Sequence, residues 1–190
     1  MKKVVLLMHT SLDGFVAGPD GEMEWISMGE PIFEDAIELA SSADAALYGR
    51  TTYLMMEGYW PGVLTNPSST TNQLHHAQWV EDIKKVVFST TLESVEWNNT
   101  QLVKENVAEE VANLKSQPGD GILLIFGSPR LTHSFTGMAL IDEFYLFVNP
   151  IALGDGIPLF RNTGSHIRLE LLETKNFDSG VVKHRYAVAA

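Results

Sequence analysis

Apolar positions along the chain fall into short unbroken runs separated by amphipathic stretches. Val4 to His9 is a continuous run of strand length, the pattern of a strand buried on both faces. Gly121 to Phe126, with Ile122-Leu123-Leu124-Ile125-Phe126 at its centre, is a second. Shorter runs predict strands over Asp44–Tyr48, ending at Gly49, and over Lys85–Ser89, Thr100–Val103 and Asp142–Asn149. Two final runs, Arg168–Phe177 and Val181–Val188, predict a hairpin turning at Asp178-Ser179-Gly180.

Between the strands the period lengthens to that of a helix. Over Pro31–Ala43, residues Ile32, Phe33, Ala36, Ile37, Leu39 and Ala40 share one broad face. Glu34, Asp35 and Glu38 lie largely opposite, and Pro31 suits a first turn. Thr51–Glu57 reads as helix and Gly58–Thr70 as loop. Thr71 or Asn72 is placed to cap a helix reaching about Asp82; Val107–Lys115 is another helix. Ser128-Pro129 opens the last, with serine as N-cap and proline as first residue. Thr10 to Gly21, rich in Gly, Asp and Pro, reads as loop. Strands alternating with helices give an α/β chain, a sheet sandwiched between helices and made mixed by the terminal hairpin. No repeat or long linker interrupts it, so residues 1–190 read as one domain.

Composition narrows the classes of function. With 190 residues, 45% of them hydrophobic, the chain can bury a sizeable core unaided. Its 13 Lys+Arg against 24 Asp+Glu give a net charge of −11, which disfavours generic binding to nucleic acid or an anionic membrane. The absence of cysteine rules out disulfides, thiolate metal sites and cysteine nucleophiles. No apolar segment approaches the ~20 residues of a membrane span, and the run after Lys3 is too short for a secretory signal. A soluble, cytoplasmic protein is expected.

Several chemistries have no carrier. There is no Gly-x-Ser-x-Gly elbow, no Walker-type phosphate loop and no His-x-x-x-His pair. His75 and His76 read as surface histidines of a helix, and His133 and His166 as structural. Gly154-Asp155-Gly156 reads as a tight turn, because Leu159 fills the third glycine position of a dinucleotide fingerprint. Two strand-to-helix junctions are more informative. In Tyr48-Gly49-Arg50-Thr51-Thr52 and in Phe126-Gly127-Ser128-Pro129-Arg130-Leu131, a buried strand meets glycine, hydroxyls, an arginine and a helix N-terminus. Free N–H groups and the helix dipole there suit phosphate, and arginine adds a forked contact. Each junction alone is compatible with ordinary capping; together they look like two clamps on an extended phosphorylated ligand. Ser89-Thr90-Thr91 adds hydroxyls at the end of a third strand.

These stretches carry a family resemblance. Ser11-Leu12-Asp13-Gly14-Phe15-Val16-Ala17-Gly18, Trp25, Tyr48–Tyr53, Lys85–Leu92, Phe126-Gly127-Ser128, Leu140–Glu143 and Asn149–Phe160 run in order over nearly the whole chain. They resemble the dihydrofolate reductase-like superfamily, and most closely the group of the riboflavin-biosynthesis C-terminal reductase domain. The resemblance implies a three-layer sandwich with a mostly parallel central sheet, a C-terminal antiparallel hairpin and helices on both faces. It implies NADPH as cofactor, a small-molecule substrate and a homodimer. By that analogy Ala17 and Gly18 border the nicotinamide. Gly49, Arg50, Thr51 and Thr52 hold adenosine-side phosphates, with Arg50 also suited to a 2′-phosphate. Ser89 and Thr90 line the adenosine, and Gly127, Ser128, Arg130 and Leu131 face the pyrophosphate. Glu30 stands near the substrate acid of dihydrofolate reductases, and Asp13 is the alternative polar group for catalysis. Two departures are visible: Met23-Glu24-Trp25 replaces Leu-Pro-Trp, and Gly127-Ser128 replaces a glycine pair. The implied reaction is hydride transfer to a pterin-like or ribosylaminopyrimidine-like substrate, the latter as in 5-amino-6-(5-phosphoribosylamino)uracil reduction. Dihydrofolate reduction and a non-catalytic dimeric nucleotide-binding protein are the alternatives.

Overall fold

Parity along the buried strands decides which face of the sheet each side chain joins. In the computed structural model, which describes residues 1–161 and 163–189, the elements run as follows. They are β1 (Val4–Thr10), β2 (Phe15–Ala17), α1 (Glu30–Ser41), β3 (Ala43–Gly49), α2 (Arg50–Val63), α3 (Thr71–Asp82), β4 (Lys84–Phe88) and β5 (Thr100–Val103). Then come α4 (Val107–Ser116), β6 (Ile122–Phe126), α5 (Pro129–Gly137), β7 (Glu143–Val148), β8 (Ile157–Pro158), β9 (Leu169–Asn176) and β10 (Val182–Val188). Eight strands form one sheet in the order β5-β4-β3-β6-β1-β7-β10-β9. The pairings from β5 to β7 are parallel, and β10 and β9 add antiparallel strands at one edge.

Val4, Leu6, Met8, Leu47, Val86, Ile125, Phe144 and Leu146 point to one face, where Val111 and Leu114 of α4 and Leu131 and Phe135 of α5 cover them. Val5, Leu7, Leu124, Tyr145 and Phe147 point to the other, against Ile32, Ala36 and Ala40 of α1. Ala46, Tyr48 and Val87 continue that second face under Tyr53 and Met56 of α2 and Val80 of α3. The α/β three-layer arrangement and the terminal hairpin therefore stand as expected. The hairpin closes with Phe177 N donating to Val181 O at 2.9 Å. No helix among the described residues is long and apolar enough to cross a membrane.

Some local expectations are corrected. The stretch read as loop after β1 contains β2, which pairs with β8; both are too short to show a period and exist only through each other. α2 does not stop at Glu57 but continues through Gly58, Pro61 and Gly62 to Val63. Tyr53, Met56 and Val63 are buried at helical spacing and Trp60 packs with them, so core burial outweighs the hydrogen bond lost at Pro61. Thr70, rather than Thr71 or Asn72, caps α3, in a reciprocal capping box with Gln73.

Two polar side chains placed outside by the sequence are inside. Asp35 is only 5% exposed and turns toward the sheet. There it receives Lys183 Nζ at 3.0 Å, Lys175 Nζ at 2.6 Å and the Tyr145 hydroxyl. Burial alone would raise the Asp35 pKa; the hydrogen bonds from Lys175, Tyr145 and Lys183 outweigh it and hold the carboxyl below its usual range. His76 is not a surface residue. It is sealed among Trp60, Trp79, Phe33 and Phe126, with ring centroids 4.5, 5.2, 5.6 and 5.6 Å away. Neither of its ring nitrogens has a hydrogen-bond partner.

Two predictions follow from these buried groups. Burial, with a smaller contribution from His75, lowers the His76 pKa to about 4. Between pH ~6.5 and pH 4 the unfolded chain therefore binds more protons than the folded one, and stability falls as pH drops through that window. His76→Leu is expected to hold or raise stability at pH 7 within ~1 kcal/mol and to flatten this loss, read from urea midpoints across the window. For the second, Asp35→Ala takes the buried carboxylate from Lys183, whose side chain is 4% exposed, and leaves it the Tyr145 hydroxyl and the half-exposed Glu173. A loss of about 3–5 kcal/mol in denaturant unfolding is expected, largely recovered by Asp35→Leu with Lys183→Met.

Candidate functional site

β1 and β6 run side by side until Leu7 and Phe126 and then part. Gly127 N donates to Leu7 O at 3.0 Å, and that is where β6 leaves the sheet, whereas β1 continues along β7 to Thr10. The departure is built on two consecutive left-handed residues, Gly127 at φ 64° and Ser128 at φ 61°. α1 follows β1 on one face of the sheet and α5 follows β6 on the other. A crevice therefore opens between the two strand ends, the switch point at which open α/β sheets take ligands.

Serine in place of a second glycine keeps this turn, at a conformational cost of about 1–3 kcal/mol. Part of the compensation is visible. Ser128 stands at the N-cap position of α5 but does not cap it; its Oγ instead accepts the Gly49 N–H at 2.8 Å. The two junctions singled out in the sequence are thereby bonded to each other. Gly49 is required for this closeness, because a Cβ there would lie 2.9 Å from Ser128 Oγ. With Ser128 diverted, α5 has no side-chain cap, and α2, which begins after Gly49, has none either. The first-turn N–H groups of Arg50, Thr51 and Thr52, and of Arg130 and Leu131, thus open side by side at the carboxyl ends of β3 and β6.

The predicted residues divide by what their side chains do. Arg50 and Arg130 are exposed, as are Thr51 and Thr90. Arg50 Nη1 reaches across to Thr91 Oγ1 at 3.1 Å and so bridges the ends of β3 and β4. Ser89 Oγ accepts Leu92 N at 3.0 Å and shapes the turn after β4. Leu131 and Thr52 are buried, at 5% and 7% exposure, so their side chains belong to the core and only their backbone is left for the crevice. Open space surrounds Gly127, where a Cβ would meet nothing within 4 Å. Two uncapped helix starts, a spanning arginine and open backbone fit the diphosphate of a dinucleotide.

A strap carrying Ala17 and Gly18 adjoins the crevice. β2 is pinned by β8, and Gly156 comes so close to Ala17 O that no Cβ fits. His133 Nε2 lies 2.7 Å from Pro158 O and ties β8 to α5, the structural role expected of it. Gly18 N donates to Glu22 O at 2.9 Å, and a side chain at Gly18 would strike the Glu22 carboxylate. Asp13 is bonded into the strap. Its carboxylate accepts Ser11 Oγ at 2.6 Å, Gly154 N at 2.8 Å and Leu153 N at 3.1 Å, which lowers its pKa to about 2. The same hydrogen bonds favour its ionised form and tie it to the turn at Leu153 and Gly154. Glu30 is the first residue of α1 and is exposed; Asn72 of α3 donates to it at 2.6 Å and to Glu34 at 3.4 Å.

Sequence reasoning missed His9 and Asn149. His9 is the penultimate residue of β1, and its ring stacks on Phe147 with centroids 4.8 Å apart. Burial lowers its pKa to about 4. The buried Asn149 joins it to the strap, its Oδ1 accepting Ser27 N at 2.9 Å. The available signal was a lone histidine at the carboxyl end of a buried strand. A wide, open depression lined by Asp82, Lys84, Trp97 and Asn99 lies instead at the amino ends of β4 and β5, away from these groups.

Comparison with known proteins agrees with this geometry. The chain is 34% identical to the protein YyaP of Bacillus subtilis (strain 168) over 97% of its length and 94% of the relative's. A deaminase and 5-amino-6-(5-phosphoribosylamino)uracil reductase of Thermotoga maritima superimposes with a TM-score of 0.68 at 15% identity, over 99% of this chain and 57% of that one. Dihydrofolate reductase of Enterococcus faecalis, in a structure complexed with NADP(H), superimposes with a TM-score of 0.59 at 14% identity over 99% and 97%. The fold is thus that of the dihydrofolate reductase-like proteins. The RibD C-terminal domain model matches residues 2–183, and the chain belongs to that family.

Proposed function

We propose that this chain is an NADPH-dependent reductase that acts on a pterin-like or ribosylaminopyrimidine-like heterocycle. The observation that carries the reading is the pair of uncapped helix starts joined by Ser128 and Gly49, in a chain of this family. NADPH would supply the hydride; all other work falls to the protein. Gly49, Arg50, Thr51 and Thr52 receive adenosine-side phosphates, and Gly127, Ser128, Arg130 and Leu131 receive the pyrophosphate. Ser89 and Thr90 line the adenosine. Ala17 and Gly18 border the nicotinamide and exclude water from it. Glu30, held by Asn72 on the α1 side of the crevice, orients the substrate and relays its proton through a water. A dimer belongs to the same reading. β9 offers an unpaired edge on which Leu171 and Leu172 are 53% and 46% exposed.

Quenching of protein fluorescence by NADPH is the direct test, and no binding at millimolar NADPH would end the reading. Oxidation at 340 nm, followed with dihydrofolate and with the ribosylaminopyrimidine phosphate, then separates the substrate classes. Arg50→Ala is expected to weaken NADPH about tenfold and NADH much less, in keeping with a lost charge-assisted bond to the 2′-phosphate. Equal losses for both cofactors would withdraw that contact. Ser128→Ala frees the Gly49 N–H and is expected to cost about 1–2 kcal/mol in unfolding while also weakening NADPH. Unchanged affinity would show that the junctions are organised without it.

A further inference from the structure

The strap that carries Ala17 and Gly18 and the helix start at Arg130 and Leu131 are separate pieces of chain, and one side chain joins them. β2 and β8 are three and two residues long, and their register shifts between Phe15 and Ala17. A ladder this short is marginal by itself. Pro158 has no N–H to add to it. Other bonds of the strap run within it. Leu159 N donates to Gly14 O at 2.8 Å, and the Asp13 carboxylate takes Leu153 N and Gly154 N. They make the strap a unit, but they do not set where that unit sits along α5.

Apolar burial brings the strap down on this helix. Val16 and Leu159 are buried in the same cluster as Leu131 and Phe135. Such packing is non-directional, and it fixes the depth of the strap better than its place along the helix. His133 supplies the direction. It stands on α5 four residues after Pro129, about 6 Å along the axis from the helix start. Its Nε2 lies 2.7 Å from Pro158 O, at the short end of the range for N–H···O bonds. A carbonyl oxygen only accepts, so Nε2 carries the hydrogen and donates it. Among the described residues this is the one hydrogen bond between the strap and α5.

The link reaches Ala17 in two short steps. Pro158 adjoins Ile157, which pairs with Ala17. Gly156, one residue further back, approaches Ala17 O so closely that no side chain fits between them. A displacement of Pro158 is therefore handed to Ala17 with little slack. At the other end, α5 has no side-chain cap, and its first turn holds the free N–H groups of Arg130 and Leu131.

We propose that His133 is a positioning residue of the cofactor site. By holding Pro158 O one turn along α5, its Nε2–H sets the spacing between the pyrophosphate end of the site and the Ala17–Gly18 border of the nicotinamide. The proposal rests on the reductase reading for which end of the cofactor meets which wall. It goes further in assigning that spacing to one side chain, which acts through the strap and not on the cofactor itself. The whole dinucleotide then depends on His133, and its adenosine half does not.

The test is a calorimetric titration of the full chain and its variants with NADP+ and with adenosine 2′,5′-bisphosphate, which lacks the nicotinamide half. His133→Ala is expected to weaken NADP+ about tenfold and to leave adenosine 2′,5′-bisphosphate within about twofold of its original affinity. His133→Gln, which keeps an N–H donor, is expected to recover part of the loss. Amide exchange of the ligand-free chain gives a readout that needs no cofactor. In His133→Ala the Leu159 amide is expected to exchange about tenfold faster, with the amides of Leu6 and Ile125 in the central strands unchanged. A merely structural role would loosen all three amides and weaken both ligands alike. That result, unchanged NADP+ affinity in His133→Ala, or unchanged exchange at Leu159 would each overturn the proposal. If the wild-type chain does not bind NADP+, it is the reductase reading that fails, and exchange at Leu159 then decides alone whether His133 fixes the strap.

Discussion

The hydrogen bond from Gly49 N to Ser128 Oγ, 2.8 Å long, is the contact on which the functional edge of this molecule depends. It couples two strand ends, two helix starts and one strained turn. Ser128 could have capped its own helix, the commonest use of serine at that position. By reaching to β3 it leaves the first turn of α5 uncapped and draws α2 alongside, so two positive helix ends face the same solvent. The left-handed pair Gly127-Ser128 is the other half of the device, because it sends β6 away from β1 and opens the crevice.

Around that edge the structure spends polar groups on rigidity. Asp13 grips the turn at Leu153 and Gly154, Gly156 lets β8 press on β2, and His133 ties β8 to α5. On the opposite face, Asp35 with Lys175, Lys183 and Tyr145 locks α1 to the C-terminal hairpin. The position of Glu30 is thereby set by the edge of the sheet farthest from β3. Such buried charge is costly to leave unpaired, so the hairpin and α1 must form together. The net charge of −11 gives Arg50 and Arg130 their weight: they are exposed cations at the strand ends of an acidic molecule.

Much of this was legible in the chain. The unbroken runs Val4–His9 and Ile122–Phe126 read as doubly buried strands, since alternation disappears when both faces are covered. The hairpin at Asp178-Ser179-Gly180 and the strand Thr100–Val103 were equally clear, because turn chemistry and short apolar runs are local signals. The Gly–Arg junctions were visible as well, since glycine, hydroxyl and arginine at a strand end describe a local geometry. α2 was cut short because Gly58, Pro61 and Gly62 are local breakers; packing of Tyr53, Met56 and Val63 overrules them.

The sequence by itself therefore determined the layers and the order of the main strands and helices, because each is written in periods and turns of a few residues. Only the tertiary structure decided the rest. Asp35 faces inward because lysines about 140 residues away arrive beneath it. His76 is buried because four aromatic rings from α1, α2, α3 and β6 converge on it. Ser128 serves Gly49 across 79 positions, and Asp13 is held by N–H groups 140 and 141 positions on. A side chain's period says which face it prefers, but its partner, and hence its charge state and chemistry, is set by chain segments that meet only when the sheet is assembled.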